Sequence, residues 1–229
     1  VRFTFATYFE FLDGAHLDVI QKLDIDALHV DLTRIEGKAN VGPVSALEQL
    51  NAIIAAIVDR KQVSLSLGCL DGRNIWKSDL TKIFNDVVYP ALEKLGTERL
   101  IIAPSCSLLH VPVSLETENT LPADIKGWLS FAVQKLEEIV VLSKAAGQYK
   151  TGLSAAQCVD ASVADVKAFF AASDASIKSR AESTKIHIPE VKQRVVAEAP
   201  LKHDRFAPFD KRVVEQQELF NLPLFPTTT

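Results

Sequence analysis

The sequence predicts an α/β fold: half of a (βα)8 barrel, built from four parallel βα units and followed by a helical connector. Three observations carry this. Between Phe3 and Pro104, short apolar or aromatic runs alternate with longer segments whose apolar residues recur at helical spacing, the signature of right-handed βαβ units. Each short run ends in polar residues, and in parallel sheets chemistry collects just beyond the carboxyl ends of the strands. After Pro112 no further strand pattern occurs and helical periodicity takes over.

The elements follow in order. Phe3 to Phe9 is rich in aromatic and β-branched residues, the composition of a strand. Asp13-Gly14 breaks it, and Leu17, Ile20 and Leu23 form a short helical stripe. Ala27 to Leu32 is a second strand with Asp31 at its carboxyl edge, followed by a loop over Gly37 to Pro43. Val44 to Val58 carries Leu47, Leu50, Ile53, Ile54 and Ile57 at helical period. Val63 to Leu70 is the third strand and opens into Asp71, Gly72, Arg73 and Asn74. Ser78 or Asp79 caps a helix striped by Ile83, Val87, Ala91 and Leu95, with Gly96 as its stop. Leu100 to Ala103 is a continuous apolar run entering Pro104, which predicts a strand buried on both faces.

Beyond Pro112, Pro122 opens a long helix with Ile125, Leu129, Ala132, Val133, Leu136, Ile139 and Val140 on one face, stopped by Gly147. Ser162 and Asp165 resemble a capping box ahead of Val166, Phe169 and Phe170. Pro189 and Pro208 start two further helices, and Leu222 to Pro226 reads as an extended connector. Apart from the Ala/Ser-rich 154–176 there is no low-complexity tract, and no repeat exceeds the βα unit. The expected organisation is a half-barrel over 1–150, a helical extension over 151–221 and a connector over 222–229. Four units make either a small open sheet or half of a closed eight-unit barrel. The start inside an aromatic run and the lack of any methionine favour a half-barrel that is a piece of a longer protein.

Composition excludes several classes. Hydrophobic residues at 48% and charged residues at 24% are a globular mixture. A net charge of -4 gives no reason to propose nucleic acid or an anionic membrane as partner. No apolar run reaches the length of a membrane span. Cys69, Cys106 and Cys158 are odd in number and far apart, which fits a reducing, cytoplasmic compartment rather than a disulfide framework. Lys178 to Arg212 holds nine Lys/Arg against five Asp/Glu, the density of a solvated face.

The strand ends bring together Thr7 and Glu10, Asp31 and Arg34, Asp71, Arg73 and Asn74, then Ser105, Cys106, Ser107 and His110. These residues leave several readings open. A buried thiol and hydroxyls satisfying a tight turn is the plainest. Cys106, Asp31 and His110 also have the chemistry of a zinc site, which needs three or four ligands on one centre. A cysteine–histidine nucleophile is a further reading, without a third orienting residue in view. A folded interaction module with no small-molecule site is another. Asp71 and Arg73 are read as bracing their loop through a charge-assisted hydrogen bond, and His16 and His29 as structural.

Longer words carry a resemblance. S-L-G-C-L-D-G-R-N-I-W (66–76), A-P-S-C-S-L-L-H-V-P (103–112), W-L-S-F-A-V-Q-K-L (128–136), L-P-L-F-P-T-T-T (222–229), T-Y-F (7–9) and L-H-V-D-L (28–32) together resemble the cobalamin-independent methionine synthases. The likeness is weakest over 150–185. It implies a parent of two (βα)8 barrels that uses zinc to transfer the methyl group of a 5-methyltetrahydrofolate polyglutamate to homocysteine. The chemistry would belong to a C-terminal barrel, and this chain would correspond to the second half of the N-terminal one plus the connector. Its partners would be the first half-barrel and the catalytic barrel of the same polypeptide.

In the catalytic barrel of that family, zinc is held by His-x-Cys, a Glu and a Cys. The matching places here hold Phe5 and Thr7, Asp31, and Cys106. Arg73 stands where the family has a catalytic histidine, and a guanidinium does not shuttle protons at neutral pH. The resemblance therefore implies a retired copy of the site, with neither metal nor catalytic residue in this chain. Thr7, Asp31, Asp71, Arg73, Asn74, Ser105, Cys106 and His110 would survive as a vestigial or structural cluster. The family's folate-tail contacts in its N-terminal barrel lie near its start, so no substrate-binding residue is carried over.

Overall fold

In the computed structural model, residues 1–8, 11–33, 45–150, 152–198, 205, 207–225 and 227 are described. They form two compact units, Val1–Glu182 and Ser183–Thr229. Glu10, Arg34, the loop over Gly37 to Pro43 and the Pro226 end of the connector lie outside the described residues.

The first unit is organised on one sheet of four parallel strands in sequential order: β1 (Thr4–Ala6), β2 (Ala27–Asp31), β3 (Ser64–Leu70) and β4 (Leu100–Pro104). This is an α/β arrangement consistent with half of a (βα)8 barrel. Its two faces differ in chemistry. Leu28, Val30, Leu65 and Leu67 point towards the helices and are fully buried. The register sets Ala6 beside His29, Ser66 and Ile101, and Asp31 beside Gly68 and Ala103, so the opposite face is small or polar apart from Ile101 at the β4 edge. Gly68 is required there, because a Cβ would stand 2.5 Å from the Val30 carbonyl oxygen and 3.0 Å from Ser105 Cα.

β4 departs from expectation. It is not buried on both faces: Ile101 is 46% exposed and its neighbours are only partly covered. The reason is position, since among the described residues β4 pairs with β3 alone. β1, the other edge, is exposed throughout, whereas the central strands are buried.

The helices on the apolar face begin with good caps. Asp13, read as a break, is the N-cap of α1 (Gly14–Ile20), accepting from the His16 backbone while the His16 ring accepts from Asp13 N–H. Ser45 and Glu48 cap α2 (Ala46–Ile57) reciprocally. Asp79 caps α3 (Leu80–Ile83), which continues through a wide π turn (Phe84–Val88) into α4 (Tyr89–Leu95). The π turn lies just before Pro90, whose missing N–H and ring clash forbid a regular α turn there. Gly96 stops the helix at φ 72°, a conformation natural to glycine.

The long helix expected from Pro122 is two: α5 (Ala123–Gly127) and α6 (Ala132–Ala146). Between them Leu129 bridges Trp76 in antiparallel fashion, with Lys77 N–H donating to the Trp128 carbonyl and Ser130 N–H to that of Ile75. Leu129 and Phe131 there join Leu115 in a small separate core, and this tertiary gain overrides helical continuity. The buried face of α6 is also not the expected one. Val133, Leu136 and Val140 are exposed, while Lys135, Glu138, Val141, Leu142, Ala145 and Ala146 face inward.

α7 (Ala155–Asp160) and α8 (Ala164–Glu182) pack into the same unit, Cys158 and Val166 entering its core and Phe170 meeting Phe84 edge-on. The true box is Ser154 with Gln157. Ser162, expected in that role, donates its hydroxyl one turn back to the Cys158 carbonyl. In the second unit α9 (Pro189–Glu198) and α10 (Phe209–Phe220) start at the expected prolines, and α10 ends on Asn221 in the left-handed region. Among the described residues no helix is long and apolar enough to cross a membrane.

Candidate functional site at the carboxyl edge of the sheet

The parallel strands deliver their following residues to one edge. Asp31 ends β2, Asp71 follows β3, and Ser105 and Cys106 follow β4. Thr7, after β1, donates both its N–H and its hydroxyl to the His29 carbonyl, at 2.9 and 3.1 Å.

At the centre Asp31 is buried and fully engaged. Its Oδ1 accepts from the Thr33 N–H at 2.9 Å and hydroxyl at 2.8 Å, and its Oδ2 faces Arg73 Nη1 at 3.3 Å. The charge-assisted bond expected between Asp71 and Arg73 uses other atoms. Asp71 accepts the Arg73 backbone N–H at 2.8 Å and the Asn74 amide at 2.9 Å, while the Arg73 guanidinium reaches across to Asp31. Asn74 then accepts the Trp76 N–H, so the loop is braced residue by residue.

Ser105 is wholly buried and ties β4 to the β3 loop: its N–H donates to the Leu70 carbonyl and its Oγ accepts from Gly72 N–H at 3.1 Å. Cys106 is buried beneath the same glycine, where a Cβ would meet its carbonyl oxygen at 2.9 Å and its Sγ at 3.0 Å. The thiol donates to the Ser107 carbonyl at 3.6 Å. Ser107 caps the 3-10 turn Leu108–His110, and His110 is exposed on that turn. The structure thus gathers Thr7, Asp31, Asp71, Arg73, Asn74, Ser105 and Cys106 at one edge and leaves His110 at the surface.

Two buried groups have partners that the sequence does not show. His29, read as structural without a partner, is buried on the inner face. Its Nδ1 lies 2.9 Å from Ser66 Oγ and its Nε2 3.4 Å from the Ser105 carbonyl, with the Tyr8 ring 5.5 Å away. A carbonyl only accepts, so Nε2 is the donor towards Ser105. The H-x-D spacing of His29 and Asp31 along one strand face was the available signal. The second group is Lys135 with Glu138 on α6. Lys135 Nζ donates to the Trp76 carbonyl at 3.1 Å, and Glu138 accepts the Ser78 N–H and hydroxyl. Burial draws the Lys135 ammonium pKa below its ordinary value, against the opposing pull of Glu138 and Asp71.

The donor set at this edge does not suit zinc. Both Asp31 oxygens are occupied, and a guanidinium beside them opposes a second cation. Among the described residues no group of three His, Cys, Asp or Glu side chains is placed to hold a metal ion.

Residues 1–94 match the family described as "Cobalamin-independent synthase, N-terminal domain". The whole chain is 43% identical over 228 residues to the 5-methyltetrahydropteroyltriglutamate–homocysteine methyltransferase of Saccharomyces cerevisiae, covering 26% of that protein. It is 40% identical over 228 residues to the protein of the same name from Nitrosomonas europaea, again covering 26% of it. The protein of that name from Candida albicans is 39% identical over 214 residues, covering 93% of this chain and 24% of the relative. The chain spans about a quarter of the length of the curated relatives it matches.

Proposed function

We propose that the chain serves in a protein that methylates homocysteine from a 5-methyltetrahydrofolate polyglutamate, because residues 1–94 match the family described as "Cobalamin-independent synthase, N-terminal domain" and the whole chain is 43% identical to a 5-methyltetrahydropteroyltriglutamate–homocysteine methyltransferase. In that protein this segment is a non-catalytic half-barrel. It supports a zinc-bearing catalytic barrel and contributes to holding the folate. Its immediate partners are the other half of its own barrel and the catalytic barrel, in a reducing, cytoplasmic setting.

One observation carries the non-catalytic reading: the Asp31–Arg73 ion pair. Where a metal-activated thiol transfer needs an open, anionic ligand set, this edge holds a buried carboxylate satisfied by a fixed cation and two Thr33 donors. Zinc, when bound elsewhere in the parent, supplies the activation of homocysteine sulfur. The residues here position and pack. The reading of an independent metal- or cysteine-dependent enzyme built on Cys106, Asp31 and His110 has less support, since His110 is exposed and the thiol is buried.

Methionine formation separates these readings. The full-length protein should methylate homocysteine, and its Cys106→Ser variant should keep that activity. The isolated chain should form no methionine above a no-enzyme control. Activity of the isolated chain, or its loss from the full-length Cys106→Ser variant while the fold is kept, would overturn the proposal.

A further inference from the structure

α6 buries charge where a helix ordinarily buries hydrocarbon. Lys135 and Glu138, one turn apart, are 0% and 1% exposed, while Val133, Leu136 and Val140 look outward. Burying an ionised side chain is strongly unfavourable unless it is paired and hydrogen-bonded, so this orientation needs polar partners inside. They are supplied by one segment, the loop after β3. Lys135 holds the Trp76 carbonyl, and Glu138 holds both the backbone and the hydroxyl of Ser78. Ser173 of α8 closes the same point, donating to the Ser78 carbonyl at 2.7 Å and accepting from Leu80 N–H at 3.4 Å.

The other end of that loop covers a thiol. Gly72 rests on Cys106 so closely that no side chain fits between them, and Ser105 Oγ accepts the Gly72 N–H. Between the two ends, Asp71 braces Arg73 and Asn74. We propose that Lys135 and Glu138 are a buried latch on the Asp71–Ser78 loop, and that this latch sets how far Cys106 is open to solvent. This goes beyond methyl transfer and holds whether or not that reading does. It makes Cys106 a conditional thiol: closed while the latch is made, modifiable when the loop is released.

Alkylation by iodoacetamide, followed peptide by peptide in the intact protein, reads this directly. Removing one partner of a buried polar contact should speed Cys106 labelling about tenfold or more in Lys135→Met, with a smaller gain in Ser78→Ala, which loses only the hydroxyl to Glu138. Cys69 and Cys158 should label at their original rates. If Lys135→Met does not fold, Ser78→Ala decides alone, being a mild change. An unchanged Cys106 rate in a folded variant, or an equal acceleration at all three cysteines, overturns the latch.

Discussion

At the scale of single residues, the site edge depends on groups that leave no room for change. Gly68 is the clearest. A Cβ there meets the Val30 carbonyl at 2.5 Å, a backbone atom inside the ladder that cannot swing aside. Gly68→Ala should therefore destabilise the protein by about 1–3 kcal/mol through strain, seen as a lower urea midpoint. Cys69, deep in the core, has its thiol pushed up to about 12 by burial. A thiol whose folded pKa is raised contributes stability that is complete below its ordinary value of 9.0 and is lost as pH rises towards 12. Cys69 should stay unlabelled at pH 9 in the native protein and react only on unfolding, as peptide mapping after alkylation can check. The strand-end residues were legible because parallel topology fixes which edge they reach. His29 and Lys135 were not. A histidine in an apolar run reads as structural, and a lysine on an amphipathic helix reads as solvated, until the packing shows what faces them.

At the scale of elements, boundaries were legible wherever local chemistry decides them. Pro189, Pro208 and Gly96 start or stop helices as their backbone limits require. The single helix drawn from Pro122 to Gly147 fails because a tertiary bridge at Trp76 and Leu129 replaces its middle turn, which no periodicity records. The Ala/Ser-rich tract reads differently once folded. Ser173, Ser176 and Ser179 lie three apart on α8 and bond Ser78, Gly127 and Trp128 in turn. Arg99 does comparable work for α2, donating to the carbonyls of Ile57, Val58, Arg60 and Val63. Replacing it with alanine should cost about 2–3 kcal/mol, measurable as a lower unfolding free energy. The α2 cap also has a pH signature. Hydrogen bonds from Ser45 hold the Glu48 carboxyl below its ordinary value of 4.5. Its contribution is present above that value and fades as pH falls through the lowered one. The melting temperature of Glu48→Gln should lie below that of the parent at pH 7 and converge with it in acid.

At the scale of the whole molecule, the two edges of the sheet decide what the chain can do alone. β1 and β4 each pair on one side among the described residues, leaving backbone donors and acceptors open to another strand. Apolar side chains crowd the same borders: Phe3 beside β1, Phe5 on it, Ile101 on β4, and Val133, Leu136 and Val140 along α6. Of the apolar stripe expected along this helix, Val133, Leu136 and Val140 face away from this unit's core, while Ile139 packs against it. Such a stripe on an otherwise folded helix is best explained by a neighbour that covers it. Covering one large apolar side chain is worth roughly 1.5–3 kcal/mol, against about 5–15 kcal/mol for a whole domain. Several uncovered at once are comparable with the entire margin. The 229-residue chain by itself should therefore self-associate or melt without cooperativity, and co-expression with the remaining part of the full-length protein should restore a sharp transition. Sedimentation velocity with a thermal melt tests this. A monodisperse monomer unfolding in one cooperative step would mean that both edges are stable uncovered, and the half-barrel reading would lose its main energetic support.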